Sequence, residues 1–112
     1  MVILLTKPFL GTVGPQDAPY GVGLMERFLL GLDKSGAKPA AVCCYTEGVR
    51  LVVEGSPLLP ALRTLEAGGA KILSSASCLE NYNLKDSVNV GQVVSLDDIV
   101  SLIGRAPKVV TV

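Results

Sequence analysis

The chain has three cysteines and no histidine. Without an imidazole, Ser–His and Cys–His nucleophile pairs are excluded, and so are almost all catalytic zinc sites. The thiols stand at Cys43, Cys44 and Cys78. An odd number argues against a disulfide framework. Adjacent Cys43 and Cys44 do not readily bridge each other. No CxxC spacing occurs, which removes zinc-ribbon and thioredoxin-like readings. Cys43 and Cys44 lie inside an apolar run and are expected to be inert core residues. Cys78 instead sits in a polar turn, within Ser77-Cys78-Leu79-Glu80. Ser-x-x-Glu predicts a capping box, with Ser77 as N-cap and Cys78 at the first helical position. A helix N-terminus carries partial positive charge and unpaired N–H groups. Both favour the thiolate, so the Cys78 pKa is expected below that of a free thiol, with Glu80 opposing. The competing expectation is that Cys78 is a small buried apolar residue.

Other side chains are expected at the same sheet edge. Tyr45, Thr46, Glu47 and Arg50 follow one apolar run, Lys7 follows another, and Asn81, Tyr82 and Lys85 follow Cys78. Ser77, Tyr82, Lys85 and Arg50 are the expected anion-binding or thiolate-supporting residues, although any single surface charge is more commonly just solvated. Weaker motifs fail on their spacing. Gly21-Val22-Gly23 has Glu26 where a dinucleotide fingerprint requires Gly, and Gly11-Thr12-Val13-Gly14 lacks the Gly-Lys-Ser/Thr of a phosphate loop. Asp97 and Asp98 are adjacent in a predicted first helical turn, where they complement the helix dipole.

The elements that must position Cys78 alternate in type, as in βαβ units. Strands are expected at Val2 to Thr6, Pro39 to Tyr45, Ala70 to Ser74, Asn89 to Val94 and Pro107 to Val112. The segment Lys7 to Gly21, with Pro8, Pro15 and Pro19, is expected to be an irregular loop. Met25, Phe28, Leu29 and Leu32 have helical spacing, ended by Ser35-Gly36. Gly48 to Glu54 has no clear assignment. Ser56-Pro57 predicts a helix start, with Leu58, Leu59, Leu62 and Leu65 as its face and Gly68-Gly69 as its stop. Ser95 and Asp98 predict a capping box for a last helix whose face is Leu96, Ile99, Val100 and Ile103.

Composition sets the class. The 112 residues amount to one domain, 1–112, long enough for a core without staples. Hydrophobic residues are 49% and charged residues 18%, which excludes disorder. Aromatics are 4%, so the core is aliphatic, as in a parallel sheet covered on both faces. Zero net charge argues against nucleic acid as a partner. No apolar run reaches the ~20 residues of a membrane span. The N-terminus lacks the pattern of a signal peptide, so a cytoplasmic location is expected. The few charges suggest a buried apolar interface between copies.

Four stretches carry a family resemblance. They are Thr46-Glu47-Gly48-Val49-Arg50-Leu51, then Glu54-Gly55-Ser56-Pro57, then Ser74 to Asp86 (SSASCLENYNLKD), then Val90-Gly91-Gln92-Val93. In this order and spacing the chain resembles the DsrE/DsrF-like family, and within it the C-terminal domain of YedF-type sulfurtransferase-like proteins linked to selenium metabolism. The resemblance covers residues 40–112 well and the N-terminal part loosely. It implies a three-layer α/β/α fold with a mostly parallel sheet of about five strands, assembled into homo-oligomers. It also implies sulfur relay through a persulfide on the motif cysteine, which matches Cys78. Three departures stand out. The loop after the first strand lacks an acidic, glycine-containing stretch. Ser75 replaces the first cysteine of the family's paired motif, leaving no nearby resolving thiol. The N-terminal sulfur-carrier domain of the YedF type has no counterpart in the matched region, which implies a small sulfur-carrier protein acting in trans.

Two functions follow as expectations. In the first, Cys78 accepts sulfane sulfur from a donor and passes it to an acceptor, with no cofactor, metal, nucleic acid or membrane involved. In the second, the domain is a non-catalytic binding or assembly module and Cys78 is incidental. An anion site at the same helix N-terminus is a weaker third.

Overall fold

A computed structural model describes residues 1–112. Five strands form one parallel sheet: β1 (Val2–Leu5), β2 (Ala41–Cys44), β3 (Lys71–Ser75), β4 (Gln92–Val94) and β5 (Val109–Thr111). Their order is β4-β3-β2-β1-β5, and all four pairings are parallel. Four helices connect them: α1 (Ala18–Lys34), α2 (Leu59–Ala67), α3 (Ala76–Asn81) and α4 (Leu96–Arg105). From β1 to β4 the chain steps outward in one direction, so right-handed crossovers place α1, α2 and α3 on one face. The return from β4 to β5 reverses direction and carries α4 to the other face. The result is a three-layer α/β/α fold.

Strand side chains alternate between the two layers. Ile3, Leu5, Val42, Cys44 and Ile72 join Met25, Leu29, Leu62, Leu65 and Leu79 in a core of 19 buried residues beneath α1, α2 and α3. Val2, Leu4, Ala41, Cys43 and Leu73 join Ile99 in a core of six beneath α4. One face is therefore deep and the other thin.

Several local expectations shift. The irregular segment after β1 ends sooner, because α1 begins at Ala18 and places Pro19 in its first turn. Proline lacks only an N–H that is unpaired there in any case. Gly48 to Glu54 belongs mostly to a 3-10 segment, Thr46–Leu51. Gly48 within it lies so close to the Leu5 carbonyl that a Cβ would clash with that backbone. Val53 then bridges Val88 antiparallel, with hydrogen bonds from Glu54 N–H to Ser87 O and from Asn89 N–H to Val52 O, both 2.8 Å. The bridge lies just before the expected fourth strand and draws Asn89 away to Val52, and β4 proper starts only at Gln92. Helix α2 starts at Leu59; Ser56 caps the preceding turn through Leu58 N–H at 3.1 Å. The Ser95–Asp98 capping box forms as expected. The face of α4 is rotated, however. Leu102, Ile103 and Ala106 accompany Ile99 against the sheet, whereas Leu96 and Val100 are exposed. No helix is long and apolar enough to cross a membrane.

Candidate functional site around Cys78

Parallel strands bring their carboxyl ends to one edge, and ligand crevices of open α/β sheets form there. At this edge β3 runs directly into α3, and β2 runs into the 3-10 segment beside it. Cys78 belongs to the first element and Thr46 to the second.

Helix α3 starts two residues earlier than the capping-box spacing predicts. Its N-cap is Ser75, whose Oγ accepts from the Cys78 N–H at 3.4 Å. Ser77 is therefore the second helical residue and Cys78 the third. Ser77 is exposed, and its Oγ lies 3.2 Å from Ser75 Oγ. The correction has a physical cause. Ser75 is the last residue of β3 and has the extended backbone (φ −69°, ψ 122°) that an N-cap requires. Ser77 already lies within the helix. Since Ser75 occupies the Cys78 N–H and α3 is only six residues long, helix polarity contributes less at the sulfur than the sequence suggested.

A different donor reaches the thiol. The Thr46 N–H points at Cys78 Sγ with an N···S distance of 3.1 Å. Thr46 has φ +51°, a left-handed conformation uncommon for a β-branched residue and most often found where function or packing over-determines it. This turn aims the amide back across the edge at the sulfur. Cys78 itself is half-buried and packs against the deep core.

Tyr82 follows Cys78 by one helical turn and is half-buried. The Arg50 guanidinium lies over its ring, 4.6 Å from the centroid, and also faces Glu47 at 3.6 Å. A cation held over an aromatic face adds a modest attraction. Here it clips the 3-10 segment to α3, the two elements that carry the Thr46 amide and the Cys78 sulfur. Arg50 and Tyr82 thus hold the site's frame, and the structure gives neither a bond to the thiol. Lys85 stands apart. Its Nζ pairs with Glu80 at 3.0 Å, which offsets the negative charge expected to oppose a thiolate. Both ion pairs are about half exposed, where such pairs contribute little to stability.

The structure thus unites Cys78, Ser75 and Ser77 with Thr46, places Tyr82 and Arg50 on the frame, and directs Lys85 to Glu80. Sequence reasoning had Thr46 at the right edge but no reason to select it, since its contribution is a main-chain N–H. Cys43 and Cys44 are wholly buried. Burial pushes the Cys43 thiol up to about 11. It pushes Cys44 up to about 12, with a smaller contribution from the neighbouring Cys43. Cys44 lies in the deep core and Cys43 in the thin one, which matches that order. No three Cys, Asp or Glu side chains converge to hold a metal ion. A cavity of about 490 Å³ lies elsewhere, between the first turns of α1 and the start of α2, lined by Val22, Glu26 and Leu58 among others.

No protein-family model matches the chain. No curated protein matches it either. Solved structures do. The ychN protein from E. coli aligns with a TM-score of 0.65 at 15% identity, over 99% of this chain and 97% of its own. MTH1491 from Methanobacterium thermoautotrophicum, described as of unknown function, aligns with a TM-score of 0.72 at 17% identity, over 99% and 96%. BT1422 from Bacteroides thetaiotaomicron, described in the same way, aligns with a TM-score of 0.63 at 13% identity, over 99% and 94%. Across nearly its whole length, the chain shares its three-layer α/β/α fold with these three proteins.

Proposed function

We propose that this protein is a sulfur-relay protein of the DsrE/DsrF-like kind, carrying sulfane sulfur as a persulfide on Cys78. The observation that carries the reading is the Thr46 amide directed at the sulfur of half-buried Cys78, 3.1 Å away. A fixed N–H donor stabilises negative charge on sulfur without reorganising during reaction. The motif resemblance supplies the reaction class, and the shared fold is consistent with it.

The chemistry needs one nucleophilic sulfur and no metal or imidazole. The Cys78 thiolate attacks the terminal sulfur of a donor persulfide. One S–S bond forms at Cys78 as the donor's S–S bond breaks, and the donor leaves as a thiolate. An acceptor thiolate then attacks the outer sulfur, and Cys78 leaves with the electron pair of its S–S bond. The exchange is redox-neutral. Ser75, in place of a second thiol, keeps the bound sulfur from being expelled as a local disulfide. Delivery therefore requires an external acceptor, such as a small sulfur-carrier protein.

The test is incubation with a low-molecular-weight persulfide followed by intact-mass measurement. The expected result is a gain of one sulfur atom that Cys78→Ser abolishes. A chain that takes up no sulfur, or takes it up equally in the Cys78→Ser variant, would sink the proposal. A non-catalytic assembly role is the second reading, favoured by the exposed Leu96 and Val100 on α4.

A further inference from the structure

Gly21 and Gly23 stand two residues apart in α1 and so lie on different faces of the helix. A Cβ at Gly21 would come 2.9 Å from Phe9 Cβ and 3.1 Å from both Val13 methyls, so that glycine lets the segment after β1 pack on the helix. At Gly23 a Cβ would meet nothing within 4 Å. Glycine inside a helix is destabilising relative to alanine, and no packing contact requires it at this position. Its missing side chain keeps a cleft open. The cavity of about 490 Å³ between α1 and the start of α2, and a second of about 320 Å³ along the same helix, share Pro19, Gly23 and Glu26. Val22, Pro57 and Leu58 line the first, and Tyr20, 67% exposed, lines the second. Glu26 is half-buried and is the only ionisable side chain of the first cavity. Exposed Arg27 lines the second cavity alone. The two salt bridges join Arg50 to Glu47 and Lys85 to Glu80, so no cation of the chain is paired with Glu26.

We propose that this cleft binds a small organic cation, an ammonium group carried on an apolar or aromatic body. The size fits, since ligand pockets typically enclose about 300–1,000 Å³ and combine apolar walls with a few placed polar groups. The apolar body packs against Val22, Pro57 and Leu58 over the gap at Gly23. The ammonium meets the Glu26 carboxylate, which is partly withdrawn from water and gains a charge-assisted hydrogen bond. Tyr20 offers a ring face at the outer end, for the cation or for an aromatic body. Charge selects the occupant: an anionic ligand would bring like charge to Glu26, and a neutral one would leave the carboxylate unpaired. None of these residues belongs to the Cys78 site, so the cleft stands independently of sulfur relay.

The chain contains no tryptophan, so an indole probe is read by its own fluorescence anisotropy as full-length protein is titrated in. Tryptamine carries the ammonium, tryptophol is its uncharged counterpart, and indole-3-propionate is anionic. Tryptamine is expected to bind with a Kd of about 0.3 mM, as suits a ligand of its size. Tryptophol and indole-3-propionate should bind at least about tenfold more weakly. Glu26→Gln should weaken tryptamine about tenfold and bring it level with tryptophol. Gly23→Leu fills the open space and should abolish binding, while the melting temperature holds or rises. Cys78→Ser should bind tryptamine as the wild type does. The proposal is overturned by a wild type that leaves the anisotropy unchanged up to about 3 mM chain, by tryptophol or indole-3-propionate binding as tightly as tryptamine, or by undiminished tryptamine binding in Glu26→Gln or in folded Gly23→Leu.

Discussion

The Thr46 amide and the Cys78 sulfur lie 3.1 Å apart although 32 residues separate them in the chain. One opens the 3-10 segment that follows β2 and the other rides on α3, so the contact exists only because β2 and β3 are neighbours in register, with Cys44 opposite Ser74. It sets Cys78 apart from the other two thiols, which lie one and two residues before Tyr45 and are wholly buried.

That difference predicts selective modification. Native protein treated with iodoacetamide at neutral pH should take up one carbamidomethyl group, at Cys78, and all three after unfolding in urea. Cys43 and Cys44 react only through opening of the core, so they should be at least about a hundredfold slower. Intact mass and peptide mapping read the result. Comparable rates at the three cysteines would show that the strand β2 thiols are not sealed.

Burial of Cys43 and Cys44 also predicts how stability depends on pH. Their ordinary value is 9.0, and folding raises them to about 11 and about 12. Below pH 9 both folded and unfolded chains hold these protons. Above it the unfolded chain releases them first, so stability falls as pH rises from about 9 to 12. Urea melts across that range should show the loss. Cys44→Ala should flatten it, at a packing cost visible at pH 7.

The capping assignment separates two serines on either side of Ala76. Ser75→Ala removes the acceptor of the Cys78 N–H and should cost about 1 kcal/mol. Ser77→Ala, at an exposed position inside the helix, should change stability by less than about 0.5 kcal/mol. Thermal melts of the two variants decide the order. A larger loss from Ser77→Ala would return the N-cap to Ser77.

Ser74 supplies a prediction of opposite sign. Its Oγ is buried with no hydrogen-bond partner, and an unsatisfied buried hydroxyl costs roughly 1–3 kcal/mol. Ser74→Ala should therefore raise the melting temperature by several degrees. A fall would mean that the hydroxyl is satisfied in solution.

Thr46→Gly tests the strained turn. Glycine keeps the N–H that faces Cys78 and accepts φ +51° without the steric cost borne by threonine. Folding stability should hold or rise, and Cys78 alkylation should stay within about twofold of wild type. A marked loss of reactivity would assign the Thr46 side chain a part that its amide alone does not explain.

The amino-acid sequence by itself determined the alternation of apolar strands and amphipathic helices, and hence the α/β class. Period and punctuation are local properties: Met25 and Leu29 declare a helix face, Ser95 and Asp98 a cap, and the Pro39–Tyr45 run a buried strand. It also singled out Cys78, because a thiol in a polar turn differs from two thiols in an apolar run. Tertiary structure decided what depends on neighbours distant in sequence. Which serine caps α3 depended on where β3 ended, which its pairing with β4 through Ser75 and Val94 sets. Which stripe of α4 is buried depended on how the helix lies across the sheet, since Leu96 and Val100 have the same apolar character as Ile99 and Ile103. The donor to the Cys78 sulfur is a main-chain amide, which every residue but proline carries, so side-chain identity held no record of it. The thiol was legible in the sequence, but its partner Thr46 was not, because only the adjacency of β2 and β3 brings that N–H within reach.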